Sequence, residues 1–494
     1  MFFIAFQGLL FAKAYSFMMQ ELAILAKHET HSPFCIPAWY SHWVAMNRDL
    51  ATQYSAQPVF SEKQVEERYQ SFVSESYARQ EAEREAEADR LIEKLSEETT
   101  GKRRIVYFAE TPYFSILRQA KTLRNAGYET VLLCMKPIPE ELSTSFENAF
   151  DLVGDDLRSF VTLGRLAGSI KAFIFHIQCW MWGYHTARRI IECANDVPCV
   201  CEFYDVTSAV TTRENLYRML SSRPDPIGMV DMDLSIEGFL FRNADGVVHR
   251  LTSRLINEIR KSHASNVADL QFMPWPDSVP DPSTSGKLSN EYGKPCLVYA
   301  GAVHPSSSDP GLSPLALFSK TVVSLLEQGC VIHIYNDPHR MPGRTDPDYT
   351  KWFEIESRFP TFKMLKGVGP ERLPVLLSRY DFGLLLTEYT PEVLQNRKRY
   401  FEGAMGTKIF SYLEAGLPVL VNSEAKLAGK FVEENAIGLA FDADQSMHFP
   451  DTLKNTDYRK LVKNVGRYCQ VNLMSNRISE MIEFYELVTG RKNQ

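Results

Sequence analysis

The chain has 494 residues, more than one ordinary hydrophobic core accommodates, so two or three domains are expected. It is 45% hydrophobic and 23% charged, the composition of a soluble globular protein. A formal charge of -7 excludes a general nucleic-acid binder and leaves room for a local basic pocket facing an anionic ligand. The first segment, "MFFIAFQGLLFAKAYSFMMQELAILA", is apolar but interrupted by Gln7, Lys13, Gln20 and Glu21. It lacks a basic n-region and an A-x-A site, which argues against a signal peptide, and its unbroken apolar run is too short to span a bilayer. It reads either as a buried helix of a helical subdomain or as an amphipathic helix on a membrane surface. Residues 62–98 are rich in Glu, Arg and Ala with charges at i and i+4, the pattern of a solvated helix; apolar positions are too sparse from Ala78 to Ala88 for a long coiled coil. Residues 1–100 are therefore read as a helical extension, the part that would meet a protein partner or a membrane surface.

The pattern changes after "TTGKRR". A strand at Ile105–Ala109, a helix over about 115–125, a glycine turn and a strand at Thr130–Cys134 make a βαβ unit of a parallel sheet. Short apolar runs follow at 172–177, 198–206, 245–249 and 270–275, with helical segments between them. This is one α/β domain, about 101–283. A Pro/Ser/Gly-rich linker over 280–295 leads to a second series: 296–303, a helix over about 314–328, 331–335, 362–368, a helix at "PERLPVLLSRY", 382–387 and 438–443. The expected fold class is α/β: two Rossmann-like domains facing a cleft, 101–283 and 284–465, with the helical extension before them and a C-terminal helix, 466–494, returning toward the first. The nine cysteines form no C-x-x-C pair and no zinc spacing, so they read as reduced structural thiols of a cytoplasmic protein.

Ligands of such domains bind at the carboxyl ends of strands, where helix N-termini favour anions. The segment "KIFSYLEAGLPVLV", Lys408–Val421, lies at such a position. It follows the strand "FGLLLT" and a long loop, "EYTPEVLQNRKRYFEGAMGT", carrying Arg397, Lys398, Arg399, Gly403 and Gly406. That loop reads either as a phosphate-holding segment or as a solvated surface loop. At about 100° per residue, Ile409, Phe410 and Leu413 share one helix face and Lys408, Ser411 and Glu414 the other. Gly416 supplies a C′ residue, Pro418 prevents continuation, and "VLV" is a buried strand.

This segment resembles the donor-site motif of GT-B glycosyltransferases, above all the large retaining group often called family 4 (with family 1-like members). Their form is roughly P-N-K-x-F-E-Y-L-A-x-G-x-P-V-V. Lys408, Phe410, Tyr412, Leu413, Gly416, Pro418 and Val419 match. "KGVGPERLPVLLSRYDFGLLL" stands just upstream as in the family, "EFYDV" (202–206) resembles its Y-D-V-H-D strand end, "EGFLFRNADGVVHRLTSRL" (237–255) its E-x6-A-D-x-V-I-x-x-S segment, "FMPWPDS" (272–278) sits where I-P-N-G-V-D closes the first domain, and "VYAGAV" (298–303) resembles the first donor-domain strand and turn. The likeness covers about 101–465 in order and spacing.

The resemblance implies transfer of a sugar, with retention of configuration, from a UDP- or GDP-sugar held by the second domain to a glycan, lipid or protein acceptor shaped by the first. No cofactor or metal is required in this fold. Lys408 would contact the donor phosphates, with Gly301, His304, Gly367, Val368, Arg397, Gly406, Thr407, Ser411 and Glu414 as further donor-binding positions. Ser411 falls where the family has a ribose-binding glutamate; Glu414, one turn on, either substitutes or faces water. The turn "YAGAVHPSSSDPGLSP" lacks the family's diphosphate-binding Arg and Lys, and His304 and residues 397–399 are the candidate replacements. In the first domain the family's H-x-H reads His176-Ile177-Gln178; His176 is catalytic or a structural strand histidine, and His185 is a second candidate. Asp205 would orient a histidine or bind acceptor hydroxyls. The competing reading is a non-catalytic GT-B-like subunit or scaffold interacting through its N-terminal helices. A GT-B-shaped epimerase or phosphorylase is a third reading, for which neither a pyridoxal phosphate lysine site nor an epimerase carboxylate set is visible.

Overall fold

The structure, a computed structural model, describes residues 59–492 apart from 80–81, 97–100, 113, 222, 281–285, 304–307, 314, 338–345, 347–348 and 443–448. The chain divides into two units, Met1–Leu50 and Ala51–Gln494, and every described residue belongs to the second. The readings of the N-terminal apolar segment and of His304 lie outside the described residues.

Runs of β-branched and aromatic residues build two all-parallel sheets. The first contains β1 (Arg104–Ala109), β2 (Glu129–Cys134), β3 (Leu152–Gly154), β4 (Ile174–Cys179), β5 (Cys199–Phe203), β6 (Gly246–His249) and β7 (Ala268–Gln271), in the order β3-β2-β1-β4-β5-β6-β7. The second contains β8 (Cys296–Ala300), β9 (Val331–Tyr335), β10 (Phe362–Leu365), β11 (Phe382–Leu385), β12 (Val419–Asn422) and β13 (Gly438–Phe441), in the order β10-β9-β8-β11-β12-β13. The inner strands β1, β4, β5, β8 and β12 are buried along their whole length, which is why they read as continuous apolar runs. Strand order reverses between β1 and β4 and between β8 and β11, and such switch points open a crevice beyond the carboxyl ends of the strands. The short edge strand β3 has no counterpart in the sequence reading, and β7 begins two residues before the apolar run assigned to it. No described helix is long and apolar enough to cross a membrane.

Two helices, α1 (Glu62–Ala78) and α2 (Ala82–Ser96), lie where the charge pattern alone suggested one solvated helix. Ser61 and Gln64 make a capping box that starts α1. Each helix buries one stripe: Tyr69 and Val73 from α1, Ala88, Leu91 and Leu95 from α2, in the same core as Val106, Phe108 and Leu133 of the first sheet. Helix α3 (Phe114–Asn125) and helix α4 (Glu140–Ala149) follow β1 and β2; α5 (Phe160–Ser169) and α6 (Tyr184–Cys193) cover the face that receives α1 and α2. Tyr69 donates to Glu192 at 2.9 Å, and the Arg188 guanidinium lies 3.8 Å from the Tyr69 ring while bonding Glu66 at 2.8 Å. The Asp231 carboxylate accepts the backbone N–H groups of Val59 and Phe60 at 2.9 and 3.0 Å, anchoring the chain as it enters α1. The extension over 59–96 is thus part of the first domain's core. The C-terminal helix, α8 (Met474–Lys492), also belongs there: Phe484 and Val488 close on Gly246 of β6 so tightly that a Cβ at that glycine would lie 2.7 Å from Phe484.

Because Leu91 is 4% exposed and its methyls fill the space above Gly154, Leu91→Ala leaves a cavity between α2 and the sheet. Denaturant unfolding is expected to show a loss of about 2–5 kcal/mol, whereas a solvated arm would show none.

Candidate functional site

Helix α7 (Lys408–Glu414) carries the glycosyltransferase-like motif, and each of its residues has a distinct job. Ile409, Phe410 and Leu413 are fully buried. Tyr412 pins the helix to the switch point of the second sheet: its hydroxyl accepts from the Ala300 N–H at 3.0 Å and donates to the Leu384 carbonyl at 3.3 Å, so one side chain bridges β8 and β11. Gly383 permits this, since a Cβ there would overlap the Tyr412 ring. The helix ends in a Schellman motif, with Gly416 N–H to Leu413 O and Leu417 N–H to Tyr412 O, both 2.9 Å, and Gly416 at φ +75°. The strand that follows pairs with β11 and β13 in parallel.

At the other end, Lys408 reaches back to the turn after β8. Its Nζ lies 5.6 Å from the Tyr299 ring centroid, and its Cε occupies the space a Cβ on Gly301 would take. Gly301 also has φ +141°, so both backbone and packing require glycine there. Thr407 meets the first domain through a 3.1 Å hydrogen bond between its Oγ1 and the Tyr204 hydroxyl just beyond β5. Gly406 is exposed, and a Cβ there would meet nothing within 4 Å. Lys408, Gly301, Gly406 and Thr407 thus converge on the crevice between the carboxyl ends of the two sheets.

Other expected positions are placed elsewhere. Glu414 is 5% exposed and faces neither water nor the crevice. It pairs with Arg118 of α3 and accepts the Asp277 N–H at 2.9 Å, while Arg118 also donates to the Pro274 carbonyl at 3.0 Å. Burial pushes the Glu414 carboxyl pKa up, against the opposing pull of Arg118 and the backbone N–H groups of Asp277 and Ser278. It is a clasp between domains, so the donor-binding expectation is corrected. Arg397 and Arg399 are likewise spent on the first domain: they donate to the carbonyls of Val210 at 3.4 Å and Ser208 at 3.2 Å. Residues 391–403 form two short helices, and Gly403 lets them approach Leu255 rather than a phosphate. The backbone of residues 403–405 continues the docking, with Thr252 N–H to Gly403 O at 2.8 Å, Met405 N–H to Arg250 O at 3.2 Å, and a bridge between Leu251 and Ala404. Gly367 and Val368 lie in a loop that packs on α4 through the Lys366–Glu141 and Ser145–Glu371 contacts. Ser411 is half-buried on α7, one turn from Lys408.

His176 is inside β4, not at its end, and is fully buried. Its Nδ1 bonds the Tyr485 hydroxyl of α8 at 2.6 Å and its Nε2 bonds Glu202 at 3.0 Å, so its role is structural and the catalytic expectation is corrected. His185 packs edge-on against Phe72 and Phe160, each 5.0 Å away, and burial lowers its pKa to about 4. Asp205 does lie at the domain junction and accepts from Tyr400 of the second domain at 3.0 Å. Sequence reading missed the aromatic wall beside it. Trp180, beyond β4, stacks on Tyr204 at 4.2 Å, and the Arg250 guanidinium, beyond β6, lies 4.2 Å from the same ring. The nearby Trp182 has φ +69°, a strained backbone held by the 3.0 Å bond from its N–H to Asp233. The only available signal was position: Arg250 directly follows a predicted strand, Trp180 comes three residues after one, and Tyr204 lies near the end of one.

Residues 353–476 match the family model described as Glucosyltransferase 3-like, C-terminal domain. The matched span begins in the helix Thr350–Arg358 before β10 and runs through α7 into the start of α8. Among solved structures, sucrose-phosphate synthase from Thermosynechococcus elongatus is similar at 12% identity, over 79% of this chain and all (100%) of that one, with a TM-score of 0.52. HepE of Anabaena, in complex with UDP and glucose, is similar at 13% identity over 77% of this chain and 98% of that one, with a TM-score of 0.51. No curated protein sequence matches the chain. These likenesses establish the fold, which is that of the GT-B glycosyltransferases.

Removing one partner of the clasp leaves the other buried and charged. Glu414→Ala is expected to cost about 3–5 kcal/mol in denaturant unfolding, and the double variant Arg118→Met/Glu414→Leu to recover most of it; a cost below 1 kcal/mol for the single variant would mean that the pair does not hold the domains.

Proposed function

We propose that the protein is a glycosyltransferase that moves a sugar from a UDP- or GDP-sugar to a glycan, lipid or protein acceptor, with retention of configuration. The observation that carries this reading is the meeting of Lys408 with the Gly301 turn at the switch point of the second sheet, opposite Tyr204 and Asp205 of the first. Departure of a nucleoside diphosphate puts negative charge on the β-phosphate, and a lysine beside glycine backbone stabilises it without reorganisation. In this reading Lys408, Gly301, Gly406 and Thr407 bind the donor phosphates, Ser411 hydrogen-bonds a donor hydroxyl, and Asp205 with Trp180 borders the acceptor. The family-model match over α7 and the HepE complex with UDP and glucose support the choice of donor class.

A second reading, a GT-B-like subunit without catalysis, is favoured by one observation: Ser411 stands where a carboxylate is expected and Glu414 is committed to the clasp. The two readings part on turnover. Ligand-induced thermal shifts with UDP, GDP and a panel of their sugars, followed by hydrolysis assays, are expected to show stabilisation and slow sugar release for the wild type. At ligand concentrations about a hundredfold above Kd the stabilisation amounts to about 2.7 kcal/mol, and Lys408→Ala is expected to remove most of it. Stabilisation without turnover of any sugar selects the non-catalytic reading, and no stabilisation by any nucleotide refutes the donor site.

A further inference from the structure

The turn after β8 lacks the arginine expected at a diphosphate, and Arg397 and Arg399 are taken by backbone carbonyls of the first domain. One guanidinium at the junction is in a different condition. The Arg250 side chain is only 5% exposed. It lies 4.2 Å from the Tyr204 ring centroid and 4.0 Å from Glu202, beyond hydrogen-bond reach. Glu202 is already bonded by His176 at 3.0 Å and by Gln119 at 3.2 Å. Among the described residues, the five N–H donors of Arg250 meet no hydrogen-bond acceptor, yet none of its nitrogens is sealed from solvent. Its counter-charge is Glu202 at 4.0 Å, too far for a hydrogen bond, so its N–H donors stay open to an anion entering the junction.

Its location is held from both sides. His249 accepts the Leu251 N–H at 3.1 Å on Nδ1 and bonds Asp269 at 3.2 Å through Nε2, which shapes the turn after β6. The Arg250 carbonyl accepts from Met405, two residues before Thr407, and Tyr204 links the guanidinium to Thr407 at the start of α7. The neighbouring carboxylate Asp205 is occupied by the Tyr400 hydroxyl.

We infer that Arg250 is a diphosphate contact supplied by the first domain, so that the leaving nucleoside diphosphate is gripped by Lys408 from one domain and Arg250 from the other. This rests on the donor-site reading above. It would make donor binding itself draw the two domains together, because a guanidinium fork and an ammonium from opposite sides share one anion.

Calorimetric titration of the full chain with UDP, GDP, inorganic pyrophosphate, uridine and guanosine tests it. The wild type is expected to bind one nucleoside diphosphate more tightly than its nucleoside. Arg250→Met is expected to weaken diphosphate binding by about ten- to a hundredfold while leaving nucleoside binding unchanged, with Arg250→Lys intermediate. Diphosphate affinity unchanged in Arg250→Met, or equal losses for nucleoside and diphosphate, would overturn the inference while Lys408→Ala still reports on the donor site. Absence of binding by the wild type to every diphosphate overturns both. If Arg250→Met does not fold, Arg250→Lys, which keeps the charge and loses the fork, decides by the same comparison.

Discussion

The relation of the two domains depends on a buried ion pair. Arg118 comes from α3, the helix after β1, and Glu414 from the last turn of α7, and both also bind the chain segment that joins the sheets. Trp275 of that segment meets Phe410 edge-on at 5.6 Å and carries Arg477 at 4.8 Å, while Met474 N–H bonds the Pro276 carbonyl at 2.8 Å. The two stretches of chain that pass between the domains, the linker and the start of α8, are therefore fastened to α7 at one point. A buried charge pair of this kind adds little net stability over an apolar substitute, but it cannot slide without exposing an unpaired charge, so it sets orientation. With Glu414 fixed, the opposite end of α7 has no choice but to present Thr407 and Lys408 to the junction.

The second contact between domains is built from the segment after β11. Two short helices and three backbone hydrogen-bonding residues lie on the turns after β5 and β6, and the arginines of that segment cap carbonyls there. Both arginines of the basic cluster are engaged in joining the domains, while Lys398 pairs with Glu402 of its own helix. This division of labour accounts for an arrangement in which positive charge beside the crevice comes from Lys408 and, across the junction, from Arg250.

Much of this was legible in the sequence. Strands buried on both faces announce themselves as apolar runs, and a glycine-proline break after an amphipathic helix marks α7 and β12 by local chemistry alone. The junction was harder to read. Glu414 and Lys408 are two turns apart on one polar helix face, and nothing local distinguishes the one that faces a ligand from the one that faces Arg118. His176 reads like a strand-end histidine because its burial depends on Tyr485, 309 positions away. The charge-rich segment 62–98 looks solvated because its apolar stripe is only a few residues wide, and it becomes core only when α5 and α6 are there to receive it.

By itself, then, the sequence determined the elements, their α/β alternation, the two parallel sheets and the helix-glycine-proline-strand unit, because these follow from short-range periodicity and backbone preference. Tertiary structure alone decided which charges are partners and which remain available. Glu414, Arg397 and Arg399 found hydrogen-bond partners far away in the chain, whereas Arg250 lies against an aromatic ring with its nearest carboxylate, Glu202, 4.0 Å away. Pairing of charges is a property of three-dimensional distance and desolvation, and neither is encoded in the spacing of residues along the chain.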